Sequence, residues 1–312
     1  MRDISIRLLW HKQAQFAGYL LAEELGLAEK NGVRIRCQGL DFACKHVNAI
    51  FEGQADMAVA SPAHLLESRD PAALRWLLSI QQQSPLVYPA RKSDGIATLA
   101  DLAGRRAGVW PGHEDLELRW MLHRAGVADD AVTRIPMPDT VAPFLAGETA
   151  TGQMTSYHEL HVVEETIPHD ELVIFDGRAS GTQILKDGLI VPASLVEAEP
   201  EIVQAVVDAV LEGWTIAFDD PERAIAACLR ARPERSHAEE SAQLAAIRAL
   251  SLTGATLTEG LGFPDPAHME AAARAMREVE GAAPDTAGLR DPRFWQAAPT
   301  VFRSASWAEG AA

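Results

Sequence analysis

The chain has 312 residues, of which 47% are hydrophobic and 23% are charged, as expected for a globular protein with two domains. Its formal net charge of −16 argues against nucleic acid or an anionic membrane as the main partner, since both require a basic surface. No segment has the length and hydrophobicity of a membrane span, so we expect no membrane insertion. The three cysteines fit neither a zinc signature nor a disulfide framework.

The first residues lead directly into a strand. "MRDISIRLLW" contains the acidic Asp3 and no apolar core of a signal peptide. We therefore expect the chain as written to be cytoplasmic. The alternative is a mature periplasmic or surface-anchored domain whose leader has been removed.

The first ninety residues alternate between strand and helix patterns. The strand "ISIRLLW" ends at Trp10, and a helix follows with apolar residues at Ala17, Leu21 and Leu25. Three further strands are predicted at "VRIRC", "ADMAVA" and "LRWLLSI", with helices between them. This alternation predicts a mostly parallel sheet.

The pattern then restarts and predicts a second, smaller α/β lobe over residues 93–186. Its strands include a segment ending at Trp110, "ATGQMTS" and "ELVIFD". The strand "DGLIVPASL" follows, leading into a long helix with apolar residues at Ile202, Val206, Val210 and Trp214. The rest of the chain is Ala-rich and predicted to be mostly helical to about Val279.

Four polar and aromatic stretches follow predicted strands: residues 10–15, 61–64, 109–114 and 155–159. Open parallel sheets bind ligands beyond the carboxyl ends of their strands, and aromatic faces with a few polar groups are typical of small-molecule pockets. Structural interpretations stand beside this one. Trp10 could seal the sheet edge, His64 could be a core histidine, and Glu159 could interact with the helix dipole.

Several motifs together resemble a known family. They are W-x4-Q-F-A-G from Trp10, "LAEELGLAEKNGVRI", "GQADMAVASPAHLL", "TLADLAGRRAGV", "MTSYHE" and "VPASLVEAEPEIVQAVVDAVLEGW". The chain resembles the type II periplasmic-binding-protein fold, within the group that unites fungal thiamine-pyrimidine synthases with SsuA-type solute-binding proteins. The resemblance implies two α/β lobes joined by a two-strand hinge, with lobe one formed by residues 1–88 plus 190–312 and lobe two by 89–189.

The synthase branch of this group carries a lysine that holds pyridoxal phosphate and, four residues later, a histidine. Alignment with "GQADMAVASPAH" puts Ala60 at the lysine position and His64 at the histidine position. The cysteine-rich iron segment of the synthases corresponds here to "GTQILKDGLIV", which contains no cysteine. We therefore expect no cofactor and no pyrimidine synthesis.

The resemblance implies a cleft that binds a small planar heterocycle, such as a thiamine-pyrimidine precursor or a flavin. Trp10 and Trp110 would stack on the ligand from opposite lobes, and Glu159 would accept hydrogen bonds from ring nitrogens. The full predicted set of ligand-binding residues is Trp10, Gln15, Ser61, His64, Trp110, Thr155, Tyr157 and Glu159.

The leading functional hypothesis is the solute-binding component of an ABC importer, with the transporter permease as partner. One alternative is a cytosolic enzyme that uses His64 or His113 as acid or base, with Cys44 as a further nucleophile candidate. Another is a cytosolic carrier or sensor that binds the same ligand without converting it.

Overall fold

A computed structural model describes residues 1–112 and 114–304. In these residues the strands are β1 Arg2–Arg7, β2 Val33–Gln38, β3 Met57–Ala60, β4 Leu74–Ser79, β5 Leu86–Arg91, β6 Arg106–Val109, β7 Thr133–Pro136, β8 Thr151–Gly152, β9 Met154–Thr155, β10 Leu172–Asp176 and β11 Gly188–Pro192. The α-helices are α1 Ala17–Glu24, α2 Asn48–Phe51, α3 Pro62–Leu66, α4 Leu116–Arg124, α5 Val141–Leu145, α6 Glu159–Glu164, α7 Gly177–Ser180, α8 Ala193–Ala198, α9 Pro200–Asp219, α10 Pro221–Ala231, α11 His237–Ser251, α12 Pro266–Glu280, α13 Arg293–Ala297 and α14 Thr300–Arg303. None of these helices combines the length and hydrophobicity needed to cross a membrane.

The chain divides into two compact α/β units. Unit one contains Met1–Gln83, Leu185–Glu270 and the described residues from Asp285 onward. Unit two contains Ser84–Ile184 and Ala271–Pro284. Each unit is built around one sheet, and the fold class is therefore the predicted mixed α/β class with two lobes.

The sheet of unit one has five strands in the order β2-β1-β3-β11-β4. Strand β1 runs parallel to β2 and β3, whereas β11 runs antiparallel to both β3 and β4. The four strands β1 to β4 therefore all point in one direction. Their carboxyl ends meet at one edge of the sheet, which we call the strand-end edge.

Helices α1 and α9 cross closely beside this sheet. A side chain at Gly213 would place its Cβ 2.1 Å from the carbonyl oxygen of Gly18. A Cβ at Gly18 would lie 2.3 Å from the ring of Trp214, which is 1% exposed. Glycine at both positions allows the two backbones to approach, so Trp214 can pack directly on α1.

The sheet of unit two has the order β10-β5-β8-β6-β7, with β9 also paired to β5. Strand β6 is parallel to β7 and β8, and β5 is antiparallel to β8, β9 and β10. The predicted strand "ATGQMTS" is divided into β8 and β9 around Gln153. The backbone N–H of Gln153 donates to the carbonyl of Gly108, and its fully buried side chain anchors the loops nearby.

The first strand is shorter than the sequence predicted. It ends at Arg7 and not at Trp10. Beyond Arg7, the Leu8 N–H donates to the carbonyl of Gln38, and the Trp10 carbonyl accepts from the N–H of Leu40. Its neighbour β2 ends at Gln38, and the two segments that follow are joined by isolated backbone hydrogen bonds and not by a regular ladder. The prediction of a strand through Trp10 was therefore wrong, and Trp10 lies in the connection that follows.

Residues 271–284 belong to unit two, whereas the predicted lobe one included them. The indole N–H of Trp120 donates to Glu278 at 2.7 Å, and Arg119 donates to Glu280 at 2.6 Å. Trp120 is 2% exposed, so the second half of α12 covers a core side chain of unit two. The sequence pattern of α12 shows that it is a helix but does not show which unit it covers.

Candidate functional site

The strand-end edge of unit one collects polar side chains from distant parts of the chain. Gln15 lies in a short 3-10 helix after β1, Ser61 follows β3 directly, and Gln81 lies two residues beyond β4. Asp187 immediately precedes β11, whose first residue Gly188 pairs with Ala60 at the end of β3. The topology therefore brings these four polar residues to one edge of the sheet.

An aromatic group stands at the same edge. The ring of Trp10 lies 5.2 Å from that of His11 and 5.7 Å from that of Phe42, both in edge-to-face geometry. Phe42 is 50% exposed while it packs on the rings of Trp10 and His11. Burial, and next the nearby guanidinium of Arg232, lower the pKa of His11. The imidazole of the group is therefore uncharged at neutral pH, while the ammonium of Lys45 lies 5.4 Å from the centre of the Phe42 ring.

Gln15 is a buried structural residue in this arrangement. Its Nε2 donates to both carboxylate oxygens of Asp187 at 3.2 Å, and its Oε1 accepts from Gln13 Nε2 at 3.1 Å. Its backbone N–H donates to Gln243. Both ends of the amide are used by the protein, so Gln15 orients other groups and its role in ligand binding stays a prediction.

Ser61 and His64 form a reciprocal cap at the start of α3. The Ser61 hydroxyl accepts from the His64 backbone N–H at 3.0 Å, and His64 Nδ1 accepts from the Ser61 backbone N–H at 3.2 Å. Because Nδ1 accepts, the ring proton of a neutral His64 resides on Nε2. The His64 ring also stacks on that of His46 at 4.2 Å.

Ser61→Ala is expected to lower the free energy of unfolding by about 1 kcal/mol, because it removes this helix cap. Urea unfolding at pH 7 measures the change. The matched control is Ser93→Ala, at an exposed serine, which should change stability by less than about 0.5 kcal/mol. Equal stability of the two variants would show that the cap contributes nothing.

In unit two, Trp110 follows β6 and is fixed by a buried amide. Its backbone N–H donates to Gln153 Oε1 at 3.1 Å, and Gln153 Nε2 donates to the carbonyl of Glu114 at 2.8 Å. Trp110 is half-buried and lines a pocket of about 430 Å³, together with Val109, Gly112, Asp115, Asp129, Asp130, Val132, Arg134 and Pro136. Arg134 pairs with Asp115 at 2.9 Å and with Asp129 at 3.2 Å, so the pocket wall is charged and internally paired.

Glu159 is already bonded to Thr155. Its Oε2 accepts from the Thr155 backbone N–H at 2.9 Å and also from the Thr155 hydroxyl. These bonds close the turn between β9 and α6, and they place the carboxylate in the first turn of α6, where the helix dipole favours it. Tyr157 is 5% exposed. The Thr155 hydroxyl and one Glu159 oxygen are therefore used within the protein, and contact of these residues with a ligand stays a prediction.

Two further residues were predicted as catalytic candidates of an enzyme, Cys44 and His113. Cys44 is buried. The other two cysteines, Cys37 and Cys228, are also buried, and burial raises the pKa of each thiol well above the ordinary value for cysteine. His113 lies outside the described residues.

The sequence matches one family model, described as "NMT1/THI5 like", over residues 13–224. The chain belongs to the NMT1/THI5-like family. No curated protein sequence matches it.

Three solved structures similar to this NMT1/THI5-like protein cover between 81% and 96% of its length. The ligand-binding component of an ABC-type import system from Staphylococcus aureus, with zinc bound, has 11% identity and a TM-score of 0.69, covering 96% of this chain and 99% of that one. The periplasmic aliphatic sulphonate-binding protein SsuA from Escherichia coli has 16% identity and a TM-score of 0.62, covering 81% and 85%. The desulfurization enzyme DSZB has 14% identity and a TM-score of 0.58, covering 95% and 98%. At these identities the likeness establishes the periplasmic-binding-protein fold alone.

Sequence reasoning missed four residues that organise this family member: Asp187, Gln81, Gln153 and His46. Asp187 begins a predicted strand, and its position directly before "GLIV" could have placed it at the strand-end edge. His46 has a positive φ of 48°, which is uncommon outside glycine and has no sequence signature here. Gln81 and Gln153 gain their roles only from distant partners.

Proposed function

We propose that this protein is the solute-binding component of an ABC importer and binds a planar nitrogen heterocycle, such as a thiamine-pyrimidine precursor or a flavin. The ligand site in unit one is the strand-end edge. The transporter permease is the proposed partner. Membership of the NMT1/THI5-like family supports the general function, and the chemistry of the edge supports the class of ligand.

The observation that carries the proposal is the aromatic group of Trp10, His11 and Phe42. It stands where β1 and β2 end, and Phe42 is half exposed. Planar ligands bind aromatic surfaces by stacking and by burying apolar area, whereas a small aliphatic anion gains little from them.

The polar groups at the same edge favour a ligand that donates hydrogen bonds. Asp187 contributes a carboxylate, and Gln81 contributes a carbonyl oxygen that accepts no hydrogen bond from the described residues. Ring N–H groups and exocyclic amines are suitable donors for such acceptors. A sulfonate has only acceptor oxygens and would meet acceptors here.

Native mass spectrometry of the freshly purified protein tests the proposal, followed by calorimetric titration with three probes. The probes are 4-amino-5-hydroxymethyl-2-methylpyrimidine, riboflavin and ethanesulfonate. Micromolar or tighter binding of a heterocycle, and no heat with ethanesulfonate, is the expected result. Binding of ethanesulfonate alone would overturn the assignment of the ligand class, and conversion of a bound heterocycle would favour the enzyme.

Trp10→Ala is expected to weaken binding of the heterocycle roughly 10- to 100-fold, because it removes the largest stacking surface at the edge. The control is Phe302→Ala, which truncates a half-buried aromatic residue on α14 of the same unit. The control should bind as the wild type does. Unchanged affinity in Trp10→Ala would remove Trp10 from the site.

A further inference from the structure

We infer that Asp187 is a positioning residue whose protonation state decides whether Gln81 offers a hydrogen-bond acceptor or a donor to the ligand. The inference rests on the proposed function, since it concerns the same strand-end edge of unit one. It specifies the ligand as one that donates a hydrogen bond when Asp187 is ionised.

Both glutamines turn their NH₂ groups toward Asp187. Gln15 Nε2 donates to Oδ1 and Oδ2, and Gln81 Nε2 donates to Oδ2. An ionised carboxylate can only accept, so it fixes both amides in this orientation. The charge state of one side chain therefore sets the direction of two others.

The two side-chain amides differ in the hydrogen bonds that their Oε1 atoms accept. Gln15 Oε1 accepts from Gln13 Nε2, so reversing this amide would break a second hydrogen bond. Gln81 Oε1 is buried and accepts no hydrogen bond within the described residues, while Gln81 as a whole is 1% exposed. A buried carbonyl oxygen without a partner is costly, and a ligand N–H can satisfy it.

Protonation turns Asp187 from a side chain that only accepts hydrogen bonds into one that also donates one. A carboxylic acid has one O–H donor, and the oxygen of Gln81 is an acceptor that a rotation of the amide brings to it. The acid can still accept from Gln15 through its other oxygen. After the rotation, Gln81 presents NH₂ where it had presented Oε1. Gln81 is thus the group that switches, whereas Gln15 is held.

Both charge states are accessible near neutral pH. Burial raises the pKa of Asp187 to about 7, against the opposing effects of the Gln15 hydrogen bond and the Lys186 charge. The charged and titratable groups on the surrounding elements are Lys186 beside it in the chain, Tyr19 on α1, His64 on α3, and the ion pair of Arg235 with Glu240 that holds the backbone N–H of Ala14.

Riboflavin affinity measured from pH 6 to 8.5 tests the inference with wild type and Asp187→Asn. Asparagine keeps the size of the side chain and remains neutral, as the protonated acid is. The ratio of the variant's Kd to the wild-type Kd should rise about tenfold across this range, with its midpoint near pH 7. Titration of riboflavin itself is common to both proteins and cancels in the ratio.

Two further variants keep the test decisive. Gln81→Met leaves Asp187 in place but has no amide to reverse, so it should lose the pH dependence. Asp208→Asn is the matched control, because Asp208 is a half-buried carboxylate with a raised pKa and a glutamine donor, Gln204, on α9 of the same unit. It should keep the wild-type profile.

The side-chain ¹⁵N–¹H signals of Gln81 give a readout that does not depend on ligand. They should shift with a midpoint near pH 7 in the wild type and stay constant in Asp187→Asn. Constant Gln81 signals in the wild type, or parallel affinity profiles for wild type and Asp187→Asn, would overturn the inference. Failure of every probe to bind at any pH would instead contradict the proposed function, and the Gln81 signals would still decide whether the switch exists.

Discussion

Glu117→Ala is expected to lower the free energy of unfolding of unit two by about 3 kcal/mol. Glu117 is 1% exposed, and its Oε2 accepts from the Ser84 hydroxyl at 2.7 Å and from the Ile184 backbone N–H at 2.6 Å. These are the first and last residues of the segment Ser84–Ile184. Alanine would leave two buried donors without an acceptor and would open a cavity, which outweighs the relief of removing a buried carboxylate.

Amide hydrogen exchange resolved by residue would assign the loss to unit two, and urea unfolding would give its size. Glu117→Gln keeps one acceptor oxygen, so it should lose roughly half as much. Glu165→Ala, at an exposed position following α6, should change stability by less than about 0.5 kcal/mol. If Glu117→Ala behaved like Glu165→Ala, Glu117 would not hold the two ends of the segment.

Gly213→Ala is expected to destabilise unit one by about 4 kcal/mol or to prevent its folding. The added methyl group would lie 2.1 Å from the carbonyl oxygen of Gly18, so helices α1 and α9 would have to separate. Separation would also loosen the packing of Trp214, which is 1% exposed. Thermal unfolding monitored by circular dichroism measures the effect.

Two other glycines calibrate this expectation. Gly39→Ala adds a methyl group whose nearest neighbour is 4.0 Å away, and Gly39 does not have a positive φ, so stability should be close to that of the wild type. Gly18→Ala would place its methyl group 2.3 Å from Cγ of the buried Trp214 ring, so it should also destabilise unit one strongly. A Gly213→Ala variant as stable as Gly39→Ala would refute the close helix crossing.

These glycines also explain what the sequence resemblance reports. Gly18 closes the motif W-x4-Q-F-A-G, and Gly213 with Trp214 closes the motif that ends in "LEGW". The first and last of the recognised motifs thus meet at one crossing of α1 with α9. The role of these glycines in this chain is steric, so they indicate the fold and carry no information about the ligand.

The alternation of strands and helices was predictable because hydrophobic periodicity is a local property of the sequence. The end of β1 was not, since it depends on where its neighbour β2 stops. The same distinction applies to the site. Ser61 and Gln15 were predictable as residues at strand ends. The orientation of the Gln15 side-chain amide was not, because it depends on a hydrogen bond to Asp187, 172 positions along the chain.

Glu159 illustrates the limit for electrostatic roles. From the sequence, a carboxylate in the first turn of a helix could either bind a ligand or stabilise the start of the helix. The hydrogen bonds from Thr155 to Glu159 Oε2 show that one carboxylate oxygen stabilises the turn that leads into the helix. For Asp187, in contrast, the sequence indicates a position at the start of a strand but not a role, because its burial and its two amide partners come from separate segments.

The position of α12 has a consequence for the order in which the protein is made. Unit two receives residues 271–284 from near the end of the chain, and these cover Trp120. When the ribosome has added Ile184, the part of unit two made so far still lacks residues 271–284, which cover Trp120. Such contacts between distant segments slow folding and leave apolar surface exposed in the meantime. The nascent chain thus has an interval of nearly ninety residues during which unit two is unfinished, and this is when we expect it to depend most on chaperones.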